Sequence, residues 1–101
     1  GEYIEFGAVW PKEGRASDLA AYVESVMPIA RRHGVSPIAS LVPVFSYSGG
    51  FDPARANLYS WGEADNFTRF VAEATPLFPR RDAALDRLEV MHARVHFEGG
   101  L

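Results

Sequence analysis

Tyr3-Ile4-Glu5-Phe6-Gly7-Ala8-Val9-Trp10, closed by Pro11, is rich in β-formers and reads as a strand. Side chains alternate across a strand, so Ile4, Phe6, Ala8 and Trp10 share one face, with Tyr3, Glu5, Gly7 and Val9 on the other. Neither face is properly polar. A strand apolar on both sides needs cover on both.

Outward from this strand, the turn Lys12-Glu13-Gly14-Arg15 leads to Ser17-Asp18, which are candidate helix caps. Leu19, Tyr22, Val23, Val26, Met27 and Ala30 then recur at helical spacing and form a stripe broad enough to lie on a sheet. Asp18 suits the positive end of the helix dipole, and Arg31-Arg32-His33 suit the negative end. Gly34 is a left-handed stop, and Pro28 predicts a kink, because it has no amide proton and crowds the Glu24 carbonyl. Ile38 to Tyr47 alternates loosely around Pro43, which predicts an edge strand or a bulge. The turn-rich loop Ser48-Gly49-Gly50-Phe51-Asp52-Pro53 connects it to a third strand, Arg55 to Trp61.

Phe67, Phe70, Val71 and Ala74 make a second, shorter helix that ends at Thr75-Pro76, and Phe78 to Leu85 allows one more helical turn, with Pro79 at an early position. Leu88 to Phe97 is the fourth strand. Met91, Ala93, Val95 and Phe97 lie on one face, and His92, Arg94 and His96 on the other; Glu98-Gly99-Gly100-Leu101 is a tail. The order βαββαβ is the split βαβ, or ferredoxin-like, arrangement: an α+β fold with a four-stranded antiparallel sheet and both helices on one face. The second face, expected to carry Tyr3, Val9 and much of the third strand, is then bare and apolar. A second copy packed on it would close a dimeric α+β barrel, so the expected partner is a homodimer through the open sheet face.

The 101 residues, 48% of them apolar and 23% charged, suffice for a single domain over 1–101. Without cysteine there are no disulfides, thiolate nucleophiles or Cys-ligated metal sites. A net charge of −3 with scattered bases argues against nucleic acid. No apolar run is long enough to span a membrane. No secretory signal opens the chain, which gives a cytoplasmic expectation. No phosphate-cradling glycine loop, nucleophile elbow or acidic metal-site spacing occurs, so neither a metal nor a cofactor is expected.

The pattern Tyr3-Ile4, Tyr22 with Met27-Pro28-Ile29-Ala30 and His33-Gly34, and Arg55 through Leu58 to Ser60-Trp61 and a Phe-rich helix, resembles the dimeric α+β barrel superfamily. It is most like the small bacterial proteins of unknown function near the stress-responsive, EthD-like and NIPSNAP-like branches. That resemblance implies the same fold and a dimer. It also implies a range of activities, from haem degradation and cofactor-free oxygenation to isomerisation or none.

Among the residues that carry chemistry, His92-Ala93-Arg94-Val95-His96 stands out. On a strand the two histidines are about 13 Å apart, too far to share a metal. Lining a pocket, Arg94 would hold an anion while His92 or His96 moves a proton; facing solvent, the row is a polar edge that discourages aggregation. Glu5 is an acid–base candidate if buried, or else a partner for an arginine. Tyr59 and Trp61, on the same strand as Asn57 and Arg55, either stack on a flat ligand or pack as core. The expected function is binding of a small aromatic or acidic metabolite, with acid–base or cofactor-free oxygenase chemistry, or else a non-catalytic ligand-binding or stress-related module.

Overall fold

A computed structural model describes residues 2–47 and 49–96. The elements are β1 (Tyr3–Pro11), α1 (Ala16–Arg32), β2 (Ser36–Leu41), β3 (Arg55–Gly62), α2 (Ala64–Ala74), a 3₁₀ turn (Thr75–Leu77), α3 (Phe78–Ala84) and β4 (Leu85–Arg94). The four strands form one sheet in the order β2-β3-β1-β4, with every neighbouring pair antiparallel. β1 is an inner strand, flanked by β3 and β4, and the expected βαββαβ order holds.

The details differ where local chemistry competes. Ser17 and Asp18 lie inside the first turn of α1; no side chain caps the helix, and Asp18 instead pairs with Arg15. α1 runs through Pro28 to Arg32, and Gly34 follows with φ +93°. β2 is an edge strand but ends at Leu41, and its register shift falls at Pro37/Ala39. Pro43 therefore lies beyond the strand, and the ladder is interrupted near the earlier proline. β4 begins at Leu85 and ends at Arg94, three residues ahead of the expected span, because α3 runs directly into it. Phe97 and the tail 98–101 lie outside the described residues.

The larger correction concerns which sheet face meets the helices. Trp61, 2% exposed, packs on Phe70 (ring centroids 4.8 Å apart) and Phe67 (5.4 Å) of α2, and joins Tyr22, Val26 and Ala30 of α1 in the core. β3 pairs Tyr59 with Glu5 and Asn57 with Gly7, and β4 pairs His92 with Glu5 and Val90 with Gly7. Hence Tyr3, Glu5, Gly7 and Val9 turn toward the helices, and the bare face carries Ile4, Phe6, Leu58, Met91 and Ala93. Both faces of β1 are apolar, so parity alone does not tell which one the crossovers cover.

Candidate functional site

The buried core sits at the Trp61 end of the helical layer. α1 packs chiefly against α3 and α2, and between it and the sheet lies a half-open cavity of about 850 Å³. That volume falls in the roughly 300–1,000 Å³ range of small-molecule sites. Its floor is Glu5, Gly7 and Val9 of β1, Arg55, Asn57, Tyr59 and Trp61 of β3, and Leu88 and Val90 of β4; its roof includes Leu19, Tyr22, Val23 and Met27 of α1 and Phe78 of α3.

Gly7 explains why the floor is open. Its φ is not in the left-handed region, so the backbone there does not demand glycine. A Cβ at this position would meet no atom within 4 Å. Glycine in a strand interior costs about 0.5–1 kcal/mol relative to alanine. What it leaves here is space against the middle of the sheet.

Glu5 supplies the carboxylate on that floor. Trp61 Nε1 donates to its Oε1 at 2.9 Å, which fixes the side chain. Its Oε2 is 3.8 Å from His92 Nε2, beyond hydrogen-bond range, and that nitrogen is buried without a hydrogen-bond partner. The His92 ring is wedged between Phe67 (4.2 Å, edge-on) and Tyr3 (5.4 Å). It lies behind Glu5 and does not line the cavity. Burial raises the pKa of the Tyr59 phenol, and the nearby Glu5 charge adds to the effect. Burial likewise raises that of Tyr22, against the opposing charge and hydrogen bond of Arg81. Both phenols are therefore neutral hydrogen-bonding groups at pH 7.

The sheet thus brings Glu5, Arg55, Tyr59 and Trp61 to one cavity, with His92 against Glu5. Arg94 and His96 are elsewhere. Arg94 is exposed, with its guanidinium 5.9 Å from the centre of the Tyr3 ring, and His96 lies exposed beyond the end of β4. The His92-Arg94-His96 row is consequently not a lining, since the cavity is formed further along the strand at Leu88 and Val90. Glu5 faces the helices rather than the open side, and its close partners are an indole and an imidazole rather than an arginine. Gly7, Asn57, Tyr22 and Arg81 line the site without having been read as site residues. Of these only Gly7 carries a sequence signal, a mid-strand glycine with no turn beside it. Among the described residues no group of three His, Cys, Asp or Glu could hold a metal ion.

The fold and this cavity define a ferredoxin-like α+β chain with a hollow under its helices. No family model matches the sequence, and no curated protein is significantly similar to it. Solved structures do match. A protein of unknown function from Rhodopseudomonas palustris, RPA0582, superposes with a TM-score of 0.81 at 13% identity, covering 97% of this chain and 85% of that one. A dimeric ferredoxin-like protein of unknown function from Thermobifida fusca gives 0.64 at 10% identity over 94% and 92%. SnoaB, a cofactor-independent oxygenase from Streptomyces nogalater, gives 0.65 at 13% identity over 97% of each chain. At such identities the likeness establishes the fold alone, the ferredoxin-like α+β fold expected from the order of the elements.

Proposed function

We propose that the cavity binds a small, flat, largely apolar organic molecule, and that Glu5 accepts a proton from it. The observation that carries this reading is the pairing of a cleared floor at Gly7 with one indole-anchored carboxylate beside it. Tyr59 and Phe78 supply aromatic lining against which a planar ligand can pack. Glu5 is aimed at a ligand O–H or an activated C–H, and His92 behind it steadies the carboxylate as it changes charge. The neutral phenols of Tyr59 and Tyr22 can hydrogen-bond to the oxygen that becomes negative. Oxygenation without a cofactor, the activity named for SnoaB, would start from such an anion, with dioxygen as the oxidant.

We further propose that the chain works as a homodimer through the bare sheet face. Ile4, Phe6, Leu58 and Met91 (59% exposed) line that face, and the segment after β2 presents Val44 and Tyr47 at 98% and 96% exposure. Ile4, Phe6 and Leu58 are only half-buried by their own chain, and exposed apolar surface of this kind is commonly covered by a partner.

2-Tetralone, a planar bicycle with an acidic methylene, tests the chemistry. In D₂O the protein should accelerate deuterium incorporation at C1, followed by NMR, and Glu5→Gln should slow it about 100-fold, since a positioned base contributes roughly 10²–10⁴. 2-Naphthol, a planar bicycle with a hydroxyl in place of the ketone and no acidic methylene, tests occupancy by calorimetry. Saturable 2-naphthol binding with no accelerated exchange would leave a binding module. No binding of either probe refutes the reading altogether.

A further inference from the structure

Four charged side chains line the cavity, Glu5, Glu24, Arg55 and Arg81, and their arrangement narrows the ligand. Glu5 is held by Trp61 at one end of the floor. Arg81 is engaged, bonded to Asp82 at 3.0 Å and to the Tyr22 phenol, with its guanidinium 4.6 Å from the centre of the Phe78 ring. Arg55 makes no ion pair or hydrogen bond through its side chain among the described residues, and Glu24 on α1 does not pair with it. Arg55 is exposed, at the open rim of an apolar hollow, and a guanidinium there with no carboxylate partner is placed to donate to one.

The sheet register fixes the spacing. Glu5, Gly7 and Val9 follow one another on the cavity face of β1, opposite Tyr59, Asn57 and Arg55 of β3. Glu5 and Arg55 are thus four residues apart along the sheet, about 13 Å at roughly 3.3 Å per residue, with Gly7 midway. Side chains stand roughly perpendicular to a sheet, so the two heads keep about that separation, which a fused two-ring system spans when it carries a hydrogen-bonding group at each end. Accordingly, we propose that the ligand is a hydroxylated polycyclic aromatic carboxylic acid. Its rings lie over Gly7, its hydroxyl donates to Glu5, and its carboxylate, at the far end of the ring system, pairs with Arg55. This rests on the reading of the cavity as a small-molecule site and adds the polarity and length of the molecule.

Three isomeric or near-isomeric probes separate the two statements by calorimetry on the full chain. 6-Hydroxy-2-naphthoic acid has its carboxylate opposite the hydroxyl, 3-hydroxy-2-naphthoic acid has the two groups adjacent, and 2-naphthol has no carboxylate. The 6-hydroxy acid should bind at least 10-fold tighter than 2-naphthol, whereas the 3-hydroxy acid, whose charge would sit beside Glu5, should gain nothing. The 10-fold ratio should shrink as salt rises from 20 to 500 mM. It should fall to about one in Arg55→Gln and recover in part in Arg55→Lys, with circular dichroism checking that each variant is folded. Equal affinity of the 6-hydroxy acid and 2-naphthol, an equal gain for both acids, or a ratio that survives Arg55→Gln overturns the proposed ligand while 2-naphthol binding leaves the cavity reading in place. Failure of all three probes removes both.

Discussion

Replacing Gly7 with leucine should make the protein more stable and blind to its ligand. The position is mid-strand in β1, between Asn57 and Val90 on the flanking strands, and faces the cavity. Removing a strand glycine recovers about 0.5–1 kcal/mol of backbone entropy. Burying a leucyl side chain adds up to roughly 1.5–3 kcal/mol, and the half-open cavity delivers the lower part of that range. Overpacking, which costs about 1–3 kcal/mol in a filled core, does not apply, because the Cβ meets nothing within 4 Å and the hollow far exceeds one side chain. The net gain is therefore about 1–3 kcal/mol. For a chain of 101 residues, at about 4–8 °C per kcal/mol, Tm should rise by roughly 4–24 °C. Gly7→Ala should give only the entropic part and keep most of the binding. Thermal denaturation followed by circular dichroism reads the first quantity, and calorimetry with 2-naphthol the second. A leucine variant that melts lower than the parent, or that still binds 2-naphthol with parental affinity, refutes the claim that this glycine exists to keep the floor clear.

Trp61→Phe removes the donor that holds Glu5 and leaves a void in the core, so it should cost about 2–4 kcal/mol by denaturant titration. Glu73, at the surface of α2, accepts from His33 Nε2 at 2.9 Å and pairs with Arg32, tying α2 to the end of α1. The His33 hydrogen bond, with the charges of Arg32 and His33, holds its pKa below the ordinary 4.5, against a smaller opposing effect of desolvation. A carboxyl lowered in the folded state adds stability that is complete above its unfolded value and is lost as pH falls through the folded one. The Tm difference between the parent and Glu73→Gln should therefore be largest near neutrality and shrink as pH falls below 4.5, and a pH-independent difference would count against the contact. Serine at Val44, Phe45 and Tyr47 together should shift sedimentation from dimer to monomer without lowering helix content; an unchanged dimer would place the interface elsewhere.

Much of the architecture is legible because each element carries its own period. Tyr22, Val26 and Ala30 on α1 and Phe67 and Phe70 on α2 are spaced as helices that lie on a sheet, and they do. The unread part is orientation. The alternating residues of β1 are apolar on both sides, so nothing in Ile4/Phe6 against Tyr3/Val9 says which set meets the helices. The decision comes from the crossovers and from the short step between Trp61 and α2, which binds that ring to Phe67 and Phe70. From it follows the fate of every candidate side chain. Glu5, Tyr59, Trp61 and Arg55 converge on the cavity, while Arg94 and His96, of the same parity as His92, lie past the part of β4 that lines it. Parity assigns a face, but position along the strand decides whether a residue on that face reaches the hollow.

The location of the hollow also bears on how a chain this short combines a site with a stable fold. Its core is concentrated at the Trp61 end, where the aromatic side chains of Trp61, Phe67 and Phe70 pack together with Tyr22, Val26 and Ala74. Glu5 stands at the junction of that dense end and the open one. Its carboxylate is bonded on the packed side by an indole that is 2% exposed, while the rest of the group borders the cavity. In the proposed reaction, rigid packing on one side would fix Glu5 to within the few tenths of an ångström that chemistry requires, and empty space on the other would admit the substrate. Such a division predicts that substitutions in the packed half, such as Phe70→Leu, lower stability and the rate of exchange together. Substitutions in the open half, such as Val23→Ala on the cavity roof, should change affinity with little effect on Tm. A Phe70→Leu variant that melts several degrees lower yet exchanges 2-tetralone at the parental rate would show that the packed end does not position Glu5.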